Sequence, residues 1–163
     1  MISKDNALKK LLTLAVPMTE EWVDLTDCCG RVLALNLTAK CTHPPSDVSA
    51  MDGYAINDFE KIAGNKLRVV GESSAGKPYE DKINAGEAVR IFTGGILPQG
   101  SNCVIIQEET VFTQSEIIIN ESYSKQNFVR KKGSDFSKGD LVKAPIYLTP
   151  SNISLLAAMN HAE

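Results

Sequence analysis

No apolar run in the 163-residue sequence is long enough to cross a membrane, and no apolar segment of the kind that directs secretion follows Met1. We therefore expect a protein that is neither embedded in a membrane nor exported. The net charge is only −3 and the cations are scattered, apart from Arg130-Lys131-Lys132, so a general nucleic-acid binder is not expected either. No internal repeat or low-complexity tract occurs. A content of 43% hydrophobic residues is typical of one globular domain or two small ones.

Cysteine and histidine are too few and too poorly spaced for the common metal and nucleophile sites. The four cysteines are Cys28, Cys29, Cys41 and Cys103. The adjacent pair does not have zinc-finger spacing, and no second pair completes a set of four ligands. The two histidines, His43 and His161, stand far apart, and no Ser-His-Asp or Cys-His arrangement can be argued. We interpret the cysteines as reduced thiols of a cytoplasmic protein, with a redox or metal role as the alternative.

The N-terminal segment has the pattern of an amphipathic helix. Apolar residues recur every three or four positions within residues 4–15, Ser3 is suited to cap the helix, and Pro17 is suited to end it. We expect the apolar face of this helix to pack on the core, with the docking of a partner protein as the alternative. Residues 20–27 predict a short strand, whereas residues 32–39 fit either a helix or a strand.

The central part of the chain, residues 54–142, consists of short β-rich runs separated by glycine or proline turns. The runs cover residues 67–70, 88–92, 103–107, 109–112, 116–119 and 127–130. Strands at such close spacing predict a compact barrel or a folded sheet. A second helix is predicted at residues 153–159, because Thr149-Pro150-Ser151-Asn152 has the composition of a helix start.

These patterns predict an α+β fold with two parts. A central β-rich, barrel-like domain, residues 41–139, is inserted into a small discontinuous α/β domain. The small domain is formed by residues 1–40 together with residues 140–163. Boundaries near Lys40 and Asp140 follow from the change in composition at these points.

Two glycine-containing segments carry the first candidates for chemistry. Asp52 could bind Mg²⁺, orient water or act as a general base, and Gly53 beside it permits a close backbone approach. Thr93-Gly94-Gly95 could form an anion-binding nest of backbone N–H groups, to which the threonine hydroxyl adds a donor. The alternatives are an aspartate that bonds local amides and a tight turn after a strand. The second segment is not a Walker P-loop, because no Gly-Lys-Ser/Thr follows it.

A third candidate is the basic segment Arg130-Lys131-Lys132-Gly133-Ser134-Asp135. Arg130 could grip a phosphate or a carboxylate, and the three cations together could steer an anionic ligand. The alternative is a solvated hairpin edge in which Asp135 pairs with Arg130 or a lysine, so that both are structural. The adjacent acids of Gln107-Glu108-Glu109 are predicted to point to opposite faces of a strand, and therefore not to form an acid–base pair.

In their order along the chain, these segments resemble the N-terminal portion of the MoeA family of molybdopterin molybdenumtransferases, which is related to the E domain of gephyrin. The most specific match is Ser49-Ala50-Met51-Asp52-Gly53-Tyr54-Ala55. The other matching segments are Gly30-Arg31-Val32-Leu33-Ala34, Ala75-Gly76-Lys77-Pro78, Thr93-Gly94-Gly95-Ile96-Leu97-Pro98-Gln99-Gly100 and Val129-Arg130-Lys131-Lys132-Gly133-Ser134-Asp135. The resemblance covers essentially the whole chain.

The resemblance implies the last step of molybdenum cofactor synthesis, in which molybdate is inserted into adenylylated molybdopterin with the help of Mg²⁺ and AMP is released. It implies that Asp52 and Thr93 are active-site residues and that Asp52 is the metal ligand. It also implies that Gly94-Gly95, Arg130 and Asp135 bind the substrate. The chemistry is consistent with these roles, because a carboxylate suits Mg²⁺ and a guanidinium suits pyrophosphate or molybdate oxygens.

In the family, an α/β domain that binds the pterin follows this region and carries a Thr-Gly-Asp-Glu segment and a Ser-Gly-Gly segment. Neither segment occurs in this sequence. We therefore expect a fragment that supplies half of a composite site at a homodimer interface, takes an anionic small molecule and is inactive alone. A contact with the molybdopterin adenylyltransferase is a further expectation. The alternatives are a non-catalytic dimerisation or scaffold module and a stand-alone β-barrel that binds anions.

Overall fold

The first helix, α1, spans Lys4–Leu14 in a computed structural model that describes residues 2–16 and 18–162. Its start follows the prediction, since Ser3 Oγ accepts a hydrogen bond from the Asn6 amide at 3.3 Å. The expected core packing is wrong, however. No residue of α1 is buried, and Leu11 and Leu12 are 64% and 63% exposed. Pro17, which was predicted to end the helix, lies outside the described residues.

The strand predicted for residues 20–27 does not form. Residues Leu25–Asp27 make a 3₁₀ turn instead, in which the Asp27 amide donates to the Asp24 carbonyl at 2.9 Å. Trp22, an apolar residue that favoured the strand, is 77% exposed. The Leu25 amide donates to the Ala162 carbonyl at 2.8 Å, so this segment is held by the C-terminal end of the chain.

The two ends of the chain are joined by short antiparallel strands. The strands are β1 (Val32–Leu33), β2 (Leu37–Thr38), β11 (Leu141–Val142) and β12 (Ile146–Tyr147). β1 pairs with β12 and β2 pairs with β11, which resolves the ambiguity of residues 32–39 in favour of strands. The second helix was predicted for residues 153–159, and α2 forms at Pro150–Ala158, so it begins three residues earlier than expected. Thr149 is its N-cap and forms a capping box with Asn152. No helix of the described residues is long and apolar enough to span a membrane.

The centre of the chain forms a mixed sheet of six strands. Its strands are β4 (Gly53–Ile56), β5 (Lys66–Ser73), β6 (Glu87–Ile91), β7 (Cys103–Ile106), β8 (Thr110–Thr113) and β9 (Glu116–Ile119). Their order is β7-β4-β6-β5-β9-β8, and only β5 and β6 run parallel. β7 and β8 are the two edges of this sheet, so the predicted β-rich domain is an open curved sheet and not a closed barrel.

One face of the sheet carries the main core. Its fully buried members include Ile56, Leu67, Ile105 and Ile117, each no more than 1% exposed. Leu67, Ile105 and Ile117 belong to the β-rich runs recognised in the sequence, so their part of the core was predictable, whereas Ile56 lies outside those runs. Gln107–Glu109 form a 3₁₀ turn after β7, and the expectation that their side chains alternate across a strand is therefore wrong. One further pair of two-residue strands, β3 (Val48–Ser49) and β10 (Val129–Arg130), lies beside the sheet and organises the candidate site.

Candidate functional site

Ser49 of β3 brings the three candidate segments together. Its amide donates to the Gly95 carbonyl at 2.9 Å, and its carbonyl accepts from the Gly94 amide, also at 2.9 Å. On its other side it is the register partner of Val129 in β10. The segments around residues 50, 94 and 130 are therefore hydrogen-bonded neighbours, although up to 80 residues separate them in the sequence.

Asp52 and Thr93 are in direct contact. Oδ1 of Asp52 accepts from the Thr93 amide at 2.8 Å and from the Thr93 hydroxyl at 2.9 Å. These two bonds, and more weakly the charge of Arg90, lower the pKa of the Asp52 carboxyl below its ordinary value. Both side chains are exposed, and Oδ2 of Asp52 accepts no hydrogen bond within the described part of the chain. The arrangement is an ionised carboxylate with one oxygen fixed and one oxygen facing outwards.

The backbone around Asp52 is fixed by local and long-range bonds. The buried Ser49 hydroxyl accepts from the Met51 amide at 3.3 Å, which closes a tight turn before Asp52. The Asp52 carbonyl accepts from the Gln107 amide at 3.2 Å. Gly53 then starts β4 against β7, where a Cβ atom at Gly53 would lie 2.0 Å from the Ile105 carbonyl oxygen. The close approach predicted for this glycine is thus an approach to a neighbouring strand.

The glycine turn does not offer a nest of free amides. The Thr93 amide donates to Asp52, the Gly94 amide to the Ser49 carbonyl and the Gly95 amide to the Phe92 carbonyl at 2.8 Å. Gly94 has φ +82°, a conformation that glycine adopts at little cost. The amides of this turn therefore orient Asp52 and bind β3, so an anion would have to be bound by other hydrogen-bond donors.

The basic segment is internally paired, as the structural alternative for it predicted. Nη2 of Arg130 lies 2.8 and 2.9 Å from the two carboxylate oxygens of Asp135. His43 lies next to Pro44 and Pro45 in the loop before β3, here called the proline loop. Its Nε2 atom is 3.8 Å from Asp135 Oδ2. The Arg130 guanidinium is the main cause of a lowered pKa for Asp135, with a smaller contribution from His43. Arg130 is exposed, so its remaining N–H groups face solvent.

Two residues of this region were missed in the sequence. Asp47 accepts from Lys131 Nζ and from the Lys132 amide, both at 2.8 Å, and its own carbonyl accepts from the Leu97 amide at 3.0 Å. It thereby ties the proline loop to both other segments. The bond to Lys131, ahead of the one to Lys132, lowers the pKa of Asp47. Nothing in the local sequence indicates this role, because the partners of Asp47 are about 50 and 84 residues away.

Arg90 of β6 is the second missed residue. Its guanidinium lies 5.1 Å from the ring centroid of Tyr54 and 4.8 Å from that of Phe92. Nη2 donates to Gln107 Oε1 at 2.5 Å, and Nη1 donates to the Gly53 carbonyl at 3.4 Å. The sequence hides Arg90 inside a β-rich run, and only the sheet register brings it next to Asp52.

Comparison with known proteins identifies the family to which the chain belongs. The family model described as the MoeA N-terminal region, domains I and II, matches residues 2–160. The chain belongs to this family. Its resemblance to the MoeA proteins, first recognised in the segment around Asp52, is thereby confirmed.

Curated relatives of this MoeA N-terminal region are named molybdopterin molybdenumtransferase. The one from Haemophilus influenzae is 34% identical over 166 residues, which cover 100% of this chain and 41% of the relative. The one from a Nostoc species is 34% identical over 145 residues, or 85% of this chain and 33% of the relative. The crystal structure of the molybdopterin biosynthesis MoeA protein from Pyrococcus horikoshii is 31% identical, with a TM-score of 0.77 over 86% of this chain. The chain spans about two fifths of the length of these relatives.

The carboxylates of this MoeA N-terminal region do not form a complete set of metal ligands among the described residues. No group of three or more His, Cys, Asp or Glu side chains suited to a metal lies within residues 2–16 and 18–162. Mg²⁺ at phosphate-transfer sites is commonly held by one or two carboxylates together with substrate phosphates and water. The outward oxygen of Asp52 fits the place of one such ligand. The cysteines contribute none, and burial raises the pKa of the Cys103 thiol.

Proposed function

We propose that this chain supplies one part of the active site of a molybdopterin molybdenumtransferase, which inserts molybdate into adenylylated molybdopterin and releases AMP. The observation that carries the proposal is the exposed Asp52 carboxylate, which Thr93 fixes through two hydrogen bonds to a single oxygen. Its other oxygen stays outward, in the position that a metal ligand or a base requires. The names of the relatives point to the same reaction.

Each predicted site residue receives a role in this proposal. Asp52 is the catalytic carboxylate and the ligand of Mg²⁺, and Thr93 holds it in position. Gly94, which is exposed and has no side chain, lets the substrate approach the turn closely. Gly95 supports this turn from its buried side, where a Cβ atom would lie 2.8 Å from the Ser73 carbonyl oxygen. Arg130 binds substrate oxygens through its solvent-facing N–H groups while Asp135 holds the guanidinium. When bound, Mg²⁺ would neutralise charge on the phosphate and molybdate oxygens.

The remaining part of the site is proposed to lie outside this chain. A carboxylate such as Asp52 holds Mg²⁺ only together with ligands from elsewhere, and the described residues contain no group of three or more side chains suited to a metal. We therefore expect the 163-residue chain alone to release no AMP from adenylylated molybdopterin and molybdate. Fusion to the part of the Haemophilus influenzae relative that this chain does not cover should restore release, measured by chromatography of AMP.

The outcomes of this experiment separate the functions considered. AMP release by the chain alone would contradict a shared site. A folded fusion that releases no AMP, while the Haemophilus influenzae enzyme does so under the same conditions, would favour the scaffold module over the transferase. Delivery of the adenylylated substrate by the molybdopterin adenylyltransferase, in the cytoplasm, belongs to the same proposal.

The proposed domain division follows the pairing of the chain ends. Residues 1–40 and 140–163 form one small domain, and residues 41–139 form a β-rich domain inserted into it. The support is the pairing of β1 with β12 and of β2 with β11, together with the bond from the Leu25 amide to the Ala162 carbonyl. The six-stranded sheet falls entirely within the inserted part.

A homodimer formed through the apolar face of α1 is the last element of the proposal. Leu8, Leu11 and Leu12 lie on this face and are 51–64% exposed, an arrangement that costs free energy in water unless another surface covers it. We expect a dimer by light scattering, and we expect Leu11→Glu to weaken its association about 100-fold by burying a charge. Phe59→Glu, at a side chain 84% exposed on a separate 3₁₀ turn, is the control. Equal dimerisation of both variants would exclude α1 as the interface.

A further inference from the structure

We propose that Arg90 is a substrate-contacting residue that binds a tetrahedral oxyanion, a phosphate or molybdate group, beside Asp52. The inference deepens the proposed function and rests on it for the identity of the substrate. Oxyanion binding itself can be tested without any turnover, on this chain alone.

Arg90 is the exception among the four arginines of the chain. Each of the other three forms an ion pair: Arg31 with Glu21, Arg68 with Glu87 and Arg130 with Asp135. Within the described residues, no carboxylate oxygen lies within 4.0 Å of the Arg90 guanidinium, whose hydrogen bonds go to neutral acceptors. A guanidinium offers five N–H donors, and two are used here, so donors and a full positive charge remain for a ligand.

The guanidinium is held in place before any ligand arrives. Tyr54 and Phe92 lie at cation–π distance from it, and Tyr54 is only 7% exposed. Oε1 of Gln107 accepts a 2.5 Å hydrogen bond from Nη2 and so fixes one end of the guanidinium. A side chain that is already ordered loses less conformational freedom when it binds an anion, so these contacts favour recognition.

The position of Arg90 links it to Asp52 through two backbone contacts. Nη1 bonds the carbonyl of Gly53, the next residue after Asp52, and Gln107 donates its amide to the Asp52 carbonyl while its side chain accepts from Arg90. The Arg90 guanidinium and the ionised Asp52 carboxylate are thus connected through the same hydrogen-bonded residues. This combination suits a phosphoryl or oxyanion substrate, because the carboxylate would hold a metal ion while the cation stabilises the substrate oxygens.

The test is a titration of the isolated chain with inorganic pyrophosphate and, separately, with sodium molybdate. Binding is followed by NMR at the Arg90 side-chain Nε–H and at the Thr93 amide. We expect saturable shifts at Arg90, and at least about tenfold weaker binding in Arg90→Gln, since a charged donor pair is lost. Stronger binding of pyrophosphate would identify the phosphate as the bound group, and stronger binding of molybdate would identify the metal oxyanion.

A second variant separates anion binding from a purely structural role of Arg90. In Gln107→Glu, a carboxylate takes the place of the amide that accepts from Arg90 Nη2. The Arg90 charge is then neutralised, while the hydrogen bond that holds the guanidinium in place is kept. We expect this variant to keep or raise the melting temperature and yet to bind the anion at least about tenfold more weakly. Arg68→Gln, which removes a cation from the adjacent strand β5, should bind as the unmodified chain does.

Two results would overturn the proposal. One is the absence of any shift at Arg90 at about 10 mM of either anion. The other is unchanged affinity in both Arg90→Gln and Gln107→Glu. A failure of the proposed function has a different signature, because the fusion would then release no AMP while the titration of Arg90 remained saturable.

Discussion

Replacing Asp52 by asparagine is expected to lower AMP release by the fusion enzyme about 100-fold, with little change in its melting temperature. The amide oxygen of asparagine can still accept both hydrogen bonds from Thr93, so the local fold is retained. The outward oxygen is replaced by an NH₂ group, which has no negative charge and cannot bind Mg²⁺. The loss is measured as initial rates of AMP release at saturating Mg²⁺.

Two further variants define what the loss means. Thr93→Val keeps the backbone donor but removes the hydroxyl donor, and we expect an intermediate loss of about tenfold, since Asp52 is then held by one bond. Asp58→Asn makes the same chemical change at an exposed aspartate that bonds Asn102, and it should leave the rate unchanged. Full activity of Asp52→Asn would remove Asp52 from the reaction and with it the observation on which the proposed function depends.

Replacing Gly53 by alanine is expected to destabilise the chain by about 3 kcal/mol, the largest stability effect of any single change considered. The added Cβ would lie 2.0 Å from the Ile105 carbonyl oxygen and 2.9 Å from the Cα atom of Ile106. Both are backbone atoms of the paired segment, so no side-chain rotation can relieve the clash. β4 would have to separate from β7, and these strands carry the fully buried Ile56 and Ile105.

The measurement is urea unfolding followed by circular dichroism, because the exposed Trp22 reports poorly on burial. Gly64→Ala is the matched control. Gly64 has φ +75°, and no heavy atom lies within 4 Å of a Cβ atom added there. The substitution should therefore lower the free energy of unfolding by only about 1 kcal/mol, through backbone strain. If Gly53→Ala costs no more than this control, the close approach of the two strands is not a constraint on the fold.

Much of the fold was predictable, and the errors have one cause. Helix α2 and five of the six strands of the sheet follow from local signals: the Thr149 cap, β-branched runs and glycine turns. The sixth strand, β4, was not among the predicted runs. The predictions that α1 is buried and that residues 20–27 form a strand were wrong, because both depend on the surface or strand that packs against them. The apolar spacing of Leu11 and Leu12 indicates a face but not a partner for it, and a strand requires a neighbour that residues 20–27 do not have.

The candidate site, like the fold, was predictable only in part. Asp52, Thr93 and Arg130 were identified as candidates because their residue types, glycine neighbours and order form a specific motif. Their partners were not identified, apart from Asp135 as one option for Arg130. Of the two interpretations of Thr93-Gly94-Gly95, the structure shows the tight turn and not the nest of free amides. The sequence could not decide between them, because a free amide and a hydrogen-bonded amide have the same sequence.

The sequence by itself therefore determined the family, the β-rich character of the centre and the position of the residues suited to chemistry. Only the tertiary structure decided that Thr93 orients Asp52, that Asp47 joins three segments, and that Arg90 forms no ion pair with a carboxylate of residues 2–16 or 18–162. The physical reason is the range of the interactions. A helix cap and a β-rich run are signals that extend over a few residues, whereas the hydrogen bonds of the Asp47, Asp52 and Arg90 side chains join groups 17 to 85 residues apart.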